Sequence, residues 1–202
     1  MARQKPSILV TGLPGIGKTT FIINLANELK HLSTAGFYTT EIREAGVRKG
    51  FDLVSLDGRK SILSHVDIKS DYRVGRYGVD VQGFEVFLDS LDLTHSDADV
   101  LLIDEIGKME CHSKIFREMI GSLLDSDKPL VATIALKGEA LISQIKERPD
   151  AQVIEITAAN RKYLAIEVAN SVRNLMGKES GKKIPPWFSF IACSVSIFAS
   201  LI

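Results

Sequence analysis

The residues best suited to chemistry lie near the start of the chain, where the sequence has the spacing G-x-x-x-x-G-K-T. They are Gly12, Leu13, Pro14, Gly15, Ile16, Gly17, Lys18, Thr19 and Thr20. An apolar, β-branched run (residues 7–11) precedes them, and a stretch with apolar residues at helical spacing follows. Strand, loop and helix in this order form a phosphate-binding loop, whose backbone N–H groups point inward beside a helix N-terminus. The spacing therefore predicts that all nine residues bind a nucleotide.

Two side chains of this loop are expected to contact the charged end of the nucleotide. Lys18 would reach the β- and γ-phosphate oxygens as a point charge, and the Thr19 hydroxyl would ligate Mg²⁺. The alternative is a glycine-rich turn followed by a solvated lysine. That alternative gives no reason for the three glycines or for the lysine–threonine pair. We therefore predict that Lys18 is catalytic and that Thr19 is a metal ligand.

Two carboxylates, Asp104 and Glu105, follow the continuous apolar run 100–103. Such a run is typical of a strand that is buried on both faces of a parallel sheet, and ligands of open α/β sheets bind at the carboxyl ends of the strands. Asp104 would then hold the nucleotide-bound Mg²⁺, usually through a water. Glu105 would orient or deprotonate the attacking water. The alternative is an acidic pair that ends a strand and begins a solvated turn.

Strand and helix patterns alternate along the rest of the chain. Further strands are predicted at 36–43, 51–56, 61–63, 129–136 and 152–157. Helices are predicted after the loop, at 84–93, from about Ser113, and after each of the last two strands. Asp57-Gly58 is a hairpin turn signal, and residues 74–81, within the weakly patterned region 64–83, are expected to form a loop or a short strand. This order predicts an α/β fold with a mostly parallel sheet, helices on both faces and a small β-rich insertion.

Composition excludes several other classes of protein. The chain has 202 residues, 25 basic and 25 acidic side chains and a formal net charge of zero, so no nucleic-acid partner is expected. Two cysteines give no disulfide framework and favour a reducing compartment. Residues 1–11 lack the apolar segment of a signal peptide, so a cytoplasmic location is expected. We also expect a monomer, with one domain over residues 1–176.

Several segments together resemble the THEP-type P-loop nucleoside-triphosphatases, the family that includes the cancer-related nucleoside-triphosphatase. The shared segments are residues 12–20, 36–43, 50–52, 74–77, 104–110 and 160–161. The run Asp-Glu-Ile-Gly-Lys-Met-Glu at 104–110 is far more specific than the loop alone. The resemblance implies a RecA-like sheet and Mg²⁺-dependent hydrolysis of nucleoside triphosphates with loose base selectivity. The chain departs from the family pattern at Cys111, where leucine is usual, and at Ala159, where an acid is frequent.

Five further residues each have two interpretations. Asn160 and Arg161 are predicted to contact the base, although they could instead cap the final helix. Glu110 could support the water or the metal, or could form a structural salt bridge. Arg43 and Arg76 could stabilise transition-state charge on the phosphates. They could equally be surface arginines.

Two other functions compete with hydrolysis. A small-molecule kinase would use the same loop but needs an acceptor pocket and usually an arginine-rich lid. The region 43–76 contains five arginines, so this alternative stays open. A slow nucleotide-dependent switch is the other alternative. A guanine-specific switch would ordinarily carry Asn-Lys-x-Asp, which this sequence lacks.

The C-terminal sequence is predicted to be unnecessary for the catalytic domain. Residues 177–183 form a polar linker, and residues 184–202 are an uncharged, largely apolar tail. Lys182-Lys183 and Trp187 resemble an interfacial membrane anchor. Sixteen residues from Trp187 would span about 24 Å as a helix, which is less than the ~30 Å hydrocarbon core. A membrane anchor, a terminus that packs loosely on the domain, and a core helix all remain open here.

Overall fold

The structure is a computed structural model, and it describes residues 7–138 and 140–177. Contacts divide the chain into two units, the first ending at Ala169 and the second beginning at Asn170. Within the second unit, residues 170–177 are described as the end of the last helix. The predictions for residues 178–202, which cover the apolar tail and nearly all of the linker, lie outside the described residues.

Nine strands and five α-helices occur in the described part of the chain. In chain order they are β1 Ser7–Thr11, α1 Lys18–Glu28, β2 Thr34–Glu44, β3 Val47–Ser55, β4 Lys60–His65, β5 Arg73–Val74, β6 Tyr77–Val79, α2 Val81–Leu91, β7 Val100–Ile106, α3 Lys114–Leu124, β8 Leu130–Ile134, α4 Ala140–Lys146, β9 Ala151–Glu155 and α5 Leu164–Gly177. A short 3₁₀ helix, Glu110–His112, precedes α3.

All nine strands form one sheet in the order β5-β6-β4-β3-β2-β7-β8-β1-β9. Neighbouring strands in the half formed by β2, β7, β8, β1 and β9 are parallel. In the other half, β2, β3, β4, β6 and β5 pair in antiparallel fashion. The alternation of strands and helices predicted this α/β architecture. The β-rich insertion is not a separate layer, because its strands continue the same sheet beyond β2.

The order of the central strands brings the two predicted chemical segments together. The strand that leads into the phosphate-binding loop, β1, lies between β8 and β9, and β8 separates β1 from β7. The register pairs Ile8 with Val131 and Val131 with Leu102, so the carboxyl ends of β1, β8 and β7 lie at the same edge. Ligands of open α/β sheets bind at this edge.

A continuous hydrophobic core holds this edge in place. Val100–Ile103 is fully buried, as expected for a strand covered on both faces. Phe37 on β2 makes edge-to-face contacts with Phe84, Phe87 and Phe116 from α2 and α3. Aromatic pairs in this geometry stabilise a core beyond the area they bury. Packing against two helices therefore fixes β2 next to β7.

Several predicted boundaries differ from the observed ones. β7 continues through both carboxylates to Ile106, although the apolar run predicted an end after residue 103. α2 begins at Val81, before the predicted residue 84, because the Asp80 side chain accepts a hydrogen bond from the Gly83 N–H and caps the helix. The region 64–83 contains β5 and β6. None of the helices in the described residues is long and apolar enough to cross a membrane.

Candidate active site

The phosphate-binding loop depends on glycine at two positions in particular. Gly17 has φ of 115°, in the left-handed region that residues with a Cβ rarely adopt, and α1 begins at the next residue. Gly12 lies against Ile156, the residue that follows β9, because an added Cβ would come within 2.8 Å of it. A side chain at either position would displace the loop. The loop geometry therefore explains why the motif has glycine at both.

Lys18 points back over the loop toward the sheet. Its Nζ donates a hydrogen bond to the Gly12 carbonyl at 3.3 Å and lies 3.3 Å from Glu105 Oε2. The Lys18 side chain is 10% exposed and the Glu105 side chain 28% exposed. The loop cation and the carboxylate from β7 therefore form a partly desolvated ion pair, which is stronger than the same pair would be on the surface.

Asp104 is buried and satisfied by three hydroxyl groups. The Thr19 hydroxyl donates to Oδ2 and the Thr133 hydroxyl donates to Oδ1, each at 2.6 Å, and the Thr39 hydroxyl donates to Oδ2 at 3.3 Å. Asp104 itself is 1% exposed. Buried carboxylates are held by hydrogen bonds of this kind. This network joins α1, β2, β7 and β8 at a single side chain.

A second buried carboxyl group lies beside Glu105. Glu110 is 5% exposed, and burial raises the pKa of its carboxyl to about 8, with the charges of Glu105 and Asp104 adding to the shift. Burial also raises the pKa of Glu105, although the neighbouring Lys18 opposes this. A Cβ on Gly107 would lie 2.8 Å from Glu110 Oε2 and 3.2 Å from Glu105 Oε1. Gly107 therefore leaves the space in which the two carboxyl groups approach each other.

A cavity of about 620 Å³ opens in front of Lys18 and Glu105. Its walls come from the loop, from the segments that follow β7 and β8, and from the antiparallel strands. The lining residues are Gly12, Leu13, Pro14, Lys18, Thr39, Phe51, Leu63, Val74, Glu105, Gly107, Lys108, Met109, Glu110, Ala135, Leu136 and Lys137. Two of them, Lys108 and Lys137, are exposed lysines. A cavity that combines lysine side chains with a phosphate-binding loop can attract the negative charge of a nucleotide.

The donor set around Asp104 fits Mg²⁺. Mg²⁺ prefers oxygen ligands and usually takes only one or two from the protein, with the rest from phosphates and water. Thr19 and Asp104 offer a hydroxyl and a carboxylate whose oxygens lie 2.6 Å apart. Within residues 7–138 and 140–177, no group of three or more His, Cys, Asp or Glu side chains could hold a metal by itself. The residues present therefore suit an ion that arrives with the nucleotide.

The other candidate residues do not line this cavity. The Asn160 side chain closes a turn, because its Oδ1 accepts from the Thr157 N–H and its Nδ2 donates to the Glu155 carbonyl. Arg161 is exposed at the same turn. Arg43 is paired with Glu41 near the tip of the β2–β3 hairpin. Arg76 donates to the Arg48 carbonyl. Base contact by Asn160 and Arg161 remains a prediction.

Three residues of the site were missed by the sequence analysis. Thr133 is a polar residue inside an apolar strand, and that interruption was a usable signal for it. Thr39 lies in a strand segment with no comparable signal. Lys146 on α4 donates to the Ala135 and Leu136 carbonyls at 2.6 and 2.9 Å and to the Thr11 hydroxyl at 3.3 Å, and burial lowers its pKa. Lys146 therefore links the segment after β8 to the end of β1 through hydrogen bonds.

Comparison with known proteins agrees with this geometry. A family model described as NTPase matches residues 7–169, which is most of the chain. The chain belongs to this NTPase family. The nucleoside-triphosphatase THEP1 of Thermotoga sp. (strain RQ2) is 40% identical over 173 residues, covering 85% of this chain and 98% of that protein. The human cancer-related nucleoside-triphosphatase is 36% identical over 190 residues, covering 86% and 98%.

Similarity extends to a solved structure. The crystal structure of THEP1 from the hyperthermophile Aquifex aeolicus superposes with a TM-score of 0.73 and 33% identity, over 82% of this chain and 98% of that chain. The resemblance inferred from the motifs is therefore confirmed, as is the P-loop NTPase fold. The protein is an enzyme of the hydrolase class.

Proposed function

We propose that the protein is a Mg²⁺-dependent nucleoside-triphosphatase that hydrolyses the terminal phosphate of ATP, GTP and other nucleoside triphosphates with weak base selectivity. The observation that carries this proposal is the placement of Lys18 and Glu105, 3.3 Å apart, at one cavity beside the Thr19–Asp104 pair. A cation for the γ-phosphate, a base for water and oxygen ligands for a metal then share one site. These are the parts that phosphoryl transfer from a triphosphate needs.

Each residue has a separate role in the proposed reaction. The loop N–H groups and Lys18 would hold the β- and γ-phosphates, while Thr19 and Asp104 would hold Mg²⁺. When bound, Mg²⁺ supplies positive charge that offsets the charge of the phosphate oxygens. Thr133 and Thr39 would orient Asp104 through their hydroxyl groups. Lys146 would act as a positioning residue for the cavity wall that follows β8.

Glu105 is the proposed general base. The oxygen of a water would attack the γ-phosphorus, the bond from phosphorus to the β,γ-bridging oxygen would break, and the nucleoside diphosphate would leave. The proton lost by the water would pass to Glu105. Burial raises the pKa of Glu105, and a carboxylate with a higher pKa is a stronger base for this step. A γ-phosphate at Lys18 would compete with Glu105 for that cation and release the carboxylate toward the water.

The proposal of weak base selectivity is supported by the surroundings of Asn160 and Arg161, the two candidate residues for base contact. The oxygen and the nitrogen of the Asn160 side-chain amide are both hydrogen-bonded to the backbone of its own turn, and Arg161 is exposed. Strong discrimination requires site groups that a wrong base would leave unpaired. Phosphate release from ATP, GTP, CTP and UTP, measured without any acceptor, tests the proposal. A preference of more than about a hundredfold for one base, equivalent to ~2.7 kcal/mol, would contradict it.

A further inference from the structure

The cavity extends from the phosphate-binding loop in one direction only. Among the strands of the described residues, β9 lies on one side of β1, and the others all lie on the opposite side. The cavity is lined by residues of β2, β3, β4 and β5 and by the segments after β7 and β8, whereas none of residues 156–161 lines it. It therefore runs away from the turn that contains Asn160 and Arg161, past Lys18 and Glu105. Along this edge, β1 and β4 are five strand spacings apart, about 24 Å.

The far wall of the cavity is apolar. Phe51, Leu63 and Val74 from three strands of the antiparallel half line it together with Met109. Met109 is held against β4, because its Sδ accepts a hydrogen bond from the Ser64 hydroxyl at 3.3 Å. Hydrolysis needs only a water beside Glu105, and water gains nothing from an apolar wall. Ligand sites, in contrast, combine apolar walls with a few polar groups in cavities of about 300–1,000 Å³.

We propose that this part of the cavity binds a small molecule with a hydroxyl group and an apolar body, which accepts the γ-phosphoryl group in place of water. The inference rests on the proposed function, since it uses the same loop, Lys18 and Glu105. The apolar body would contact Phe51, Leu63, Val74 and Met109. The hydroxyl group would point toward Glu105, at the boundary between the apolar wall and the loop.

The chemistry of transfer parallels that of hydrolysis. The hydroxyl oxygen of the acceptor attacks the γ-phosphorus, and a new phosphorus–oxygen bond forms. The bond to the β,γ-bridging oxygen breaks, and the nucleoside diphosphate leaves with that electron pair. The hydroxyl proton passes to Glu105.

Primary alcohols of increasing length test the proposal on the full chain. The enzyme is incubated with Mg²⁺ and ATP plus methanol, ethanol, 1-propanol or 1-butanol at equal concentration, and ³¹P NMR quantifies alkyl phosphate and inorganic phosphate. We expect alkyl phosphate to form, with its ratio to inorganic phosphate rising by up to about fourfold for each added methylene that is buried. Inorganic phosphate as the sole product with every alcohol would overturn the inference. A ratio that does not depend on chain length would overturn it too.

A pair of matched variants locates the effect. Val74→Phe fills the apolar end of the cavity, and Val86→Phe makes the same change on α2 at a valine that is 66% exposed. We expect Val74→Phe to lower the 1-butyl phosphate to inorganic phosphate ratio and Val86→Phe to leave it unchanged. Equal ratios in both variants would overturn the assignment of the cavity. Failure to release phosphate from ATP even without alcohol would contradict the proposed function itself, so the two failures are distinguishable.

Discussion

At the level of single residues, the Lys18–Glu105 ion pair would have to open for the proposed phosphate contact to form. Lys18 would then exchange a carboxylate for phosphate oxygens, so that its charge would be compensated in both states. The sequence motif explains the charge of Lys18, and the structure adds its partner. Four single substitutions, two at this pair and one each at Asp104 and Glu110, separate binding, chemistry and stability.

Lys18→Ala should remove most of the activity. The substitution removes the charge that the loop directs at the phosphates, and loss of one such stabilising group typically costs about 10²–10³ in kcat. Triphosphate affinity should fall as well. Phosphate release and nucleotide Kd measure both effects, and Lys30→Ala, at an exposed lysine just beyond α1, is the matched control. Turnover like that of the wild type in Lys18→Ala would remove the loop from the mechanism.

Glu105→Gln and Asp104→Asn should have different consequences. Glu105→Gln keeps the shape of the side chain but cannot accept the proton of the water, so we expect single-turnover hydrolysis to fall by about 10²–10⁴ with little change in Mg²⁺–nucleotide Kd. Asp104→Asn should weaken that affinity too, because it removes the negative charge of a proposed metal ligand and replaces one of the two oxygens that accept the three hydroxyl hydrogen bonds with an NH₂ group. Normal hydrolysis by Glu105→Gln would place the base elsewhere, with Glu110 as the next residue to test.

Glu110→Gln should change how stability depends on pH. The pKa of Glu110 is about 8 in the folded protein and ordinary in the unfolded chain, so the folded state binds more protons between about pH 4.5 and pH 8. Its ionisation therefore lowers the free energy of unfolding as pH rises through this window. Urea unfolding from pH 5 to pH 8 should show a shallower decline in Glu110→Gln than in the wild type. The exposed Glu118→Gln is the control, and identical slopes in all three proteins would contradict the assignment.

The sequence predicted candidate site residues where those residues lie close together in the chain. The loop from Gly12 to Thr20 and the adjacent pair Asp104-Glu105 each lie within one short segment, so spacing marks both as candidates, while strand order brings the two segments together. Thr133 and Lys146 reach the site from β8 and α4, and no short-range pattern shows that they face Asp104 or Thr11. The partners of a buried charge depend on strand order, which single-residue patterns do not contain.

At the level of secondary structure, apolar periodicity predicted where elements exist better than where they end. β7 continues through Asp104 and Glu105 because β8 pairs with Ile106 beyond a shift in register, and that pairing is a tertiary effect. In contrast, the start of α3 was predictable from the side chain that caps it. Ser113 precedes the helix and its hydroxyl accepts a hydrogen bond from the Phe116 N–H at 3.0 Å, as an N-cap should.

Ser113→Ala should therefore destabilise the fold measurably. The change removes the cap and also the hydroxyl that donates to Glu85 Oε1 at 2.7 Å, at a residue that is fully buried. We expect a loss of about 1–2 kcal/mol in the free energy of unfolding, from urea titration with an unchanged m value. Ser122→Ala, at an exposed serine of the same helix, should stay within about 0.5 kcal/mol of the wild type. A similar loss in both variants would contradict the role given to the cap.

At the scale of the whole molecule, the sequence predicted the class of fold but not how many strands join the one sheet. Alternating strands and helices indicated a parallel sheet, and the hairpin signal at Asp57-Gly58 indicated extra strands. That these strands pair with β2 and extend the same sheet to β5 depends on contacts between distant segments. This extension also builds the apolar wall of the cavity, so the proposed acceptor site could not have been located from sequence patterns.

The chain continues for 33 residues beyond the family match, which ends at residue 169. Residues 184–202 carry no charged side chain and lie outside the part of the chain that the structure describes. We predict that a protein truncated after Lys183 hydrolyses nucleoside triphosphates like the full chain, because every proposed catalytic and binding residue lies between Gly12 and Arg161. Phosphate release and thermal unfolding of both proteins are the measurements. An unfolded truncated protein would make the tail part of the core.

Sedimentation with vesicles of phosphatidylcholine and phosphatidylserine decides the remaining role of this segment. Binding of the full chain, but not of the truncated protein, would establish the anchor. Vesicle binding should weaken with added salt to the extent that Lys182 and Lys183 contribute to it, since screening weakens attraction to anionic lipid. The truncated protein retains both lysines, so it separates their contribution from that of the apolar residues. Equal sedimentation of the two proteins would exclude residues 184–202 as a membrane anchor.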